Sequence, residues 1–160
     1  MKSMKVRPAV PADAPFILVM IRELADYERL LHDVHATEAM IGGALFGPGP
    51  RVFCDIAEHE GERAGIALWF YNFSTFKGLH GIYLEDLFVR PAMRGKGLGK
   101  ALLAGLARRC AAEGLGRMQW SVLDWNIPSI DFYKSLGAVL DDDWTTCRIQ
   151  DEALARLARA

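Results

Sequence analysis

Glu85 and Asp86 interrupt an otherwise apolar run from Ile82 to Val89. Both β propensity and burial oppose carboxylates in such a strand, so the pair asks for a chemical reason. Strict alternation sends neighbouring residues to opposite faces, and a β-bulge is the device that redirects one of them. A carboxylate in apolar surroundings has a raised pKa, which suits a general base, and Glu85 acting through water is the first candidate. The structural alternative is an acid that only satisfies nearby backbone donors or an arginine.

Directly downstream, the strand passes through Arg90–Gly97 into a helix, and Arg94-Gly-Lys-Gly-Leu-Gly-Lys100 is a glycine-rich entry to that helix. Glycines let the backbone approach phosphate oxygens, the N–H groups of the first turn donate to them, and the helix dipole adds about half a positive charge. Arg90, Arg94, Lys96, Lys100, Arg108 and Arg109 accompany the loop, with no acid between them. A ligand with several phosphates fits such a stretch; a tight turn followed by a solvated basic helix face is the structural alternative. Two familiar phosphate motifs are excluded by spacing. A G-x-G-x-x-G starting at Gly95 meets Lys100 where its third glycine belongs, and the G-x-x-x-x-G-K-[ST] pattern would need glycine at Arg94 and a hydroxyl at Ala101.

A third group comprises Asn126, Ser129 and Tyr133, whose separations of three and four residues put them on one helix face. Asn126 is a good helix cap, Ser129 can assist it, and Tyr133 lies two turns further along. Each has a structural reading as well: cap, cap helper and core aromatic.

The elements that must hold these groups follow from periodicity and breakers. Lys5-Val-Arg-Pro8 is a short extended opening, and Asp13 is placed to cap a helix whose Phe16, Val19, Met20, Leu24 and Tyr27 recur at helical spacing and which ends near Leu30. Thr37 opens a second helix from Glu38 to Phe46, stopped by Gly47-Pro-Gly-Pro50. Strands follow at Arg51–Ala57 and Ala64–Phe73 around a polar hairpin, then at Ile82–Val89. A helix at Leu98–Glu113 is closed by Gly114, a strand spans Met118–Leu123, a helix starting at Asn126 ends at Gly137, and Ala138–Leu140 and Trp144–Ile149 complete the sheet. The order predicts an α/β domain over residues 1–160, with a mixed central sheet and flanking helices.

Composition narrows the function classes. With 160 residues, 51% hydrophobic and 24% charged, the chain can bury about two-thirds of its surface and is neither disordered nor of low complexity. Lys plus Arg number 19 and Asp plus Glu 20, so nothing global attracts nucleic acid or an anionic membrane. Cys54, Cys110 and Cys147 are widely spaced and odd in number, against a disulfide framework or zinc knuckle and in keeping with a reducing cytoplasm. His32 and His35 lie one turn apart with no third ligand indicated, so no metal is expected. The apolar runs Phe16–Ile21 and Ile66–Tyr71 are far below the roughly 20 residues that cross a bilayer, and the expectation is a soluble cytoplasmic protein.

Arg94-Gly-Lys-Gly-Leu-Gly99 resembles the R-x-x-G-x-G motif of the GNAT superfamily of N-acetyltransferases, whose loop holds the pyrophosphate of acetyl-coenzyme A. Tyr83-Leu-Glu-Asp86, the segment Val122–Lys134 and Leu136-Gly-Ala138 resemble the spermidine/spermine acetyltransferase branch and its thialysine-acetylating relatives, over nearly the whole chain. The resemblance implies the GNAT fold and an acetyl-CoA-dependent diamine or amino-acid N-acetyltransferase that assembles as a homodimer. Coenzyme contacts are implied for Arg94, Gly95, Lys96, Gly97, Leu98, Gly99, Lys100, Asn126 and Ser129. Backbone N–H groups of Leu87, Phe88 and Val89 are implied to hold acetyl and pantetheine carbonyls where the family's strands splay. Tyr133 is implied to protonate the departing thiolate.

For the amine, Tyr27-Glu28 resembles the family's amine-binding pair, with Glu28 pairing a distal charge and Tyr27 offering a π face; Glu85 and Asp86 complete the set. Phe73-Ser-Thr-Phe-Lys-Gly78 resembles the thialysine branch's Ser-Thr-Trp-Lys-Gly more than the polyamine branch's acidic Asp-Pro-Trp, so Ser74 and Thr75 point to an amino-acid side-chain amine. Phe76 departs from that pattern by replacing Trp, and Lys77–Gly81 is one residue longer than the family hairpin. The alternatives are a GNAT acting on a protein N-terminus or lysine, and a non-catalytic acetyl-CoA-binding module.

Overall fold

Glu60 and Gly61 both take positive φ (53° and 84°), the two-residue turn that matches the twist of an antiparallel pair. In the computed structural model, which describes residues 3–160, this turn joins β2 (Phe53–His59) to β3 (Glu62–Ser74). A second hairpin leads into β4 (Leu79–Val89), while β1 (Met4–Pro8) pairs with β2. The sheet order is β1-β2-β3-β4-β5, antiparallel except that β5 (Met118–Gln119) runs parallel to β4. The described residues fall into two compact units, one ending at Ser121 and the other spanning Val122–Ala160.

In the first unit, α1 (Ala14–Tyr27) and α2 (Glu38–Phe46) cover one sheet face. Phe16, Ile17, Met20 and Leu45 pack there with Cys54, Ile56, Ile66, Leu68 and Phe88. Each such aliphatic or aromatic side chain contributes about 1.5–3 kcal/mol on full burial. The four-residue spacing of Leu98, Leu102, Leu106 and Cys110 predicts one apolar line on α3 (Leu98–Glu113); the three leucines are buried and Cys110 is half-buried, and Arg109 of the same helix stacks on Trp69 at 4.9 Å. Trp69 alternates with Leu68 along β3, so α3 lies on the opposite face.

α1 is held by charge as well as by packing. The Asp13 carboxylate was expected to cap α1; instead it accepts bonds from Arg7 (2.7 and 3.1 Å), Arg63 (3.2 Å) and the Val10 N–H (2.9 Å), with no cap bond to the helix. Phe16 sits under two guanidiniums, Arg63 at 4.9 Å and Arg90 at 5.3 Å, and Arg90 also pairs with Glu23 at 3.2 Å. α1 ends at Tyr27, short of the expected Leu30, because the chain reverses through Arg29 at φ 64°.

The second unit contains α4 (Ile127–Ser135) and α5 (Asp151–Leu157). α4 and its closing Gly137, at φ 93°, follow the expectation. The strands expected at Ala138–Leu140 and Trp144–Ile149 do not form: residues 138–150 carry no strand, and Val139, Trp144 and Ile149 are 85, 79 and 50% exposed. A strand needs a neighbour's N–H and C=O groups, and β-branched composition alone does not supply one. For the same reason the strand expected at Met118–Leu123 is reduced to Met118–Gln119, and α5 is an element the periodicity did not reveal.

Candidate active site

The ladder between β3 and β4 slips by one residue at the acidic pair. Leu68 lies opposite Asp86 and Trp69 opposite Leu84, leaving Glu85 as the extra residue of a β-bulge. Residues paired across a ladder share a face. Asp86 therefore follows Leu68 and Phe88 onto the α1 face, which alternation from Leu84 would have denied it. Glu85, carried on the bulge, is exposed.

Around Asp86 the surroundings are anionic. Burial, then the neighbouring charges of Glu85 and Glu28, push the Asp86 carboxyl up to about 6. Glu28, the C-cap of α1, is half-buried and raised by that burial. Asp86 thus carries the influence of two further carboxylates, Glu85 and Glu28, a negative group that an ammonium would neutralise.

The glycine-rich loop takes the form its composition predicts. Gly95 and Gly97 adopt φ 74° and 82°, in the left-handed region that glycine enters without strain, and Gly97 is the N-cap of α3 with no side-chain cap. A Cβ at either position would meet nothing within 4 Å, so their role is conformational. The first-turn N–H groups of α3 have no intrahelical acceptor, and Lys96 and Lys100 are exposed beside them. Such a helix start, uncapped and ringed by cations, fits a pyrophosphate.

Beside this loop β4 loses its parallel neighbour. Pairing with β5 covers Ile82 and Tyr83, and β4 continues from Leu84 to Val89 with no strand partner on that side among the described residues. Leu87, Phe88 and Val89 lie in this open stretch. Arg94 ties the loop to β4 and to the end of α1: its Nε donates to the Val89 carbonyl at 2.9 Å, and its guanidinium lies 5.1 Å from the Tyr27 ring and 5.4 Å from Phe88.

Ser74 and Thr75 are placed elsewhere. Ser74 is buried, and its Oγ accepts the Lys77 N–H at 3.2 Å, a bond that shapes the β3–β4 turn. The register puts Ser74 opposite Leu79, six β3 positions beyond the Leu68–Asp86 pair, about 20 Å along the strand. Within one chain the structure does not bring the two hydroxyls to Asp86. Phe76, at the tip of this hairpin, is 99% exposed.

In the second unit, Asn126 is buried and its side-chain oxygen accepts the Ser129 N–H at 3.4 Å, the cap expected for α4. Tyr133 is buried two turns along, with its ring 5.5 Å from Phe132. Arg94's contact with Tyr27 is the feature sequence reasoning missed; an arginine opening a glycine loop carries no signal of which ring it will meet.

The model of the acetyltransferase (GNAT) family matches residues 18–138. The thialysine N-epsilon-acetyltransferase of Sus scrofa is 36% identical over 99% of both chains. The L-ornithine N5-acetyltransferase of Arabidopsis thaliana is 31% identical over 94% of this chain and 86% of its own. Among solved structures, an integron cassette protein from the mobile metagenome of V. cholerae superposes with a TM-score of 0.81 at 26% identity, covering 99% of both chains. The bulged acidic strand, the uncapped glycine entry to α3 and a family match spanning both lead to one statement: this chain belongs to the GNAT family and is an N-acetyltransferase.

Proposed function

We propose that this protein transfers the acetyl group of acetyl-coenzyme A to the primary amine of a small molecule of the thialysine, lysine or ornithine kind. The observation that carries the reading is that Arg94 of the glycine loop lies against Tyr27 and bonds to β4 at Val89, beside Glu28, whose charge with that of Glu85 acts on Asp86. One end is built for phosphate and the other for ammonium. Relatives named for thialysine and ornithine acetylation, matched over most of their length, support the same substrate class.

Acetyl-coenzyme A would supply an activated thioester. Arg94, Lys96, Lys100 and the backbone of Gly95, Gly97, Leu98 and Gly99 would hold its pyrophosphate, the open edge of Leu87–Val89 its amide and acetyl carbonyls, and Asn126 and Ser129 its thiol arm. Asp86 and Glu85 receive the ammonium, and Glu28 binds a second charge. An alkylammonium is only about one part in a thousand neutral at pH 7.4, so exposing its lone pair costs roughly 4 kcal/mol. Raising a carboxyl from 3.8 to about 6 lowers the cost of taking up that proton by about 3 kcal/mol. That property belongs to Asp86, so Asp86 joins Glu85 as a proton acceptor. Tyr133 donates a proton to the departing sulfur. A phenol of pKa near 10 and a thiol near 8.5 differ by only about 2 kcal/mol. The protein works in the cytoplasm as a homodimer.

Release of coenzyme A over a panel of thialysine, lysine, ornithine, diamines, spermine and an N-terminal peptide tests the reading. Thialysine, lysine or ornithine is expected to show the highest kcat/KM; turnover confined to the peptide would overturn it. Tyr133→Phe keeps the ring and removes the hydroxyl, and should lower kcat by about 10²-fold with coenzyme affinity unchanged. An unaltered kcat with chemistry rate-limiting would return Tyr133 to a packing role.

A further inference from the structure

Tyr27 was expected to offer its π face to the incoming amine, yet in the folded chain a guanidinium already lies against that ring. Arg94 is 5.1 Å from the Tyr27 centroid, 5.4 Å from that of Phe88, and bonded through Nε to the Val89 carbonyl. It opens the glycine loop, while Tyr27 is the last residue of α1 and precedes Glu28, whose charge acts on Asp86. Arg94 thus touches both β4, through Phe88 and Val89, and the last residue of α1, next in the chain to Glu28.

We propose that Arg94 is a positioning residue that couples coenzyme binding to amine binding through the ring of Tyr27. The inference rests on the acetyltransferase reading above and adds to it. A pyrophosphate at the loop attracts the guanidinium from one side, and the Tyr27 and Phe88 rings hold it from the other. With the guanidinium anchored by phosphate, the ring it already touches and the adjoining Glu28 are held more firmly, so the carboxylates are better set for an ammonium when the loop is filled. Linkage makes the effect reciprocal: the amine tightens the coenzyme by the factor that the coenzyme tightens the amine. Exposed cation–π contacts are each worth about 0.5–1 kcal/mol, so one contact gives a coupling factor of roughly two to five. Planarity is essential to it. Lysine keeps the charge that phosphate needs but cannot stack on two rings while donating from a fixed Nε.

The test is calorimetric titration of coenzyme A with and without saturating thialysine, on wild type, Tyr27→Leu, Tyr27→Phe and Arg94→Lys, each checked for folding by circular dichroism. Wild type and Tyr27→Phe should bind coenzyme A about two- to fivefold more tightly when thialysine is present. Tyr27→Leu and Arg94→Lys should show the same Kd in both conditions. If Tyr27→Leu fails to fold, Arg94→Lys gives the same readout from an exposed loop. A coupling factor that survives in either variant, or is missing from a wild type that turns thialysine over, overturns the proposal. A wild type that neither binds coenzyme A nor acetylates any amine would overturn the acetyltransferase reading and this one together, which separates the two failures.

Discussion

Asp13 and Asp86 are aspartates with an ordinary carboxyl pKa of 3.8, the first buried and the second half-buried, both on the α1 side of the sheet, yet their pKa values are driven in opposite directions. Asp13 is bonded by Arg7, Arg63 and the Val10 N–H, and the Arg7 bond is the largest cause of its fall to about 2. Asp86 faces Glu85 and Glu28, and burial followed by those charges lifts it to about 6. Burial alone therefore does not mark a functional acid. What separates the two is whether the fold supplies the compensating charge or leaves it to a ligand.

The largest expected effect is on catalysis. Asp86→Asn should lower kcat/KM for thialysine by about 10²-fold, because it removes an acceptor and a charge that the amine requires. Asp13→Asn should leave kcat/KM within about twofold under conditions where the variant is folded, since Asp13 belongs to the support of α1. Equal losses in the two variants, measured by steady-state kinetics, would erase the distinction.

Stability should move in opposite senses. Asp13 has a folded pKa below its unfolded value, so its contribution is complete above pH about 3.8 and is lost as pH falls through about 2. At neutral pH Asp13→Asn should cost about 2 kcal/mol in urea unfolding, and it leaves Arg7 and Arg63 without their shared anion. Asp86 has a folded pKa above its unfolded value. It is protonated in both states at low pH, and its ionisation becomes unfavourable to the fold as pH rises from about 3.8 to about 6, so Asp86→Asn should gain up to about 3 kcal/mol at pH 7.5. A destabilised Asp86→Asn would show that the acid is satisfied in the folded chain.

The smallest effect is the pH profile. kcat/KM reports the free enzyme, so its acid side should fall with a midpoint near Asp86's value of about 6, about tenfold between pH 7 and pH 5. Asp86→Asn should flatten that limb and Asp13→Asn should keep it. A profile level down to pH 5 would place the proton acceptor elsewhere.

Much of the fold was legible because its signals are local. The four-residue line Leu98, Leu102 and Leu106, the Thr37 and Asn126 caps, the turn at Glu60-Gly61 and the positive φ at Gly95, Gly97 and Gly114 all depend on residues within a few positions of one another. The glycine loop is the extreme case: residue type sets backbone angle, and backbone angle exposes the N–H groups. The acidic pair was visible for the same reason, since carboxylates stand out in an apolar strand.

Everything that depended on a partner distant in sequence was decided by tertiary structure. The one-residue slip between β3 and β4 chose which of Glu85 and Asp86 turns toward α1, and only the pairing of two strands defines a slip. Asp13 is an ion-pair hub because the fold brings Arg63, fifty positions away, to its carboxylate alongside Arg7. The segments around Val139 and Trp144 have the composition of strands but remained unpaired, because a ladder requires a second edge. Sequence fixes the chemistry each residue can perform and the local backbone it prefers; the packed fold determines which charges meet, and thereby which aspartate is paired with arginines and which is left beside other acids.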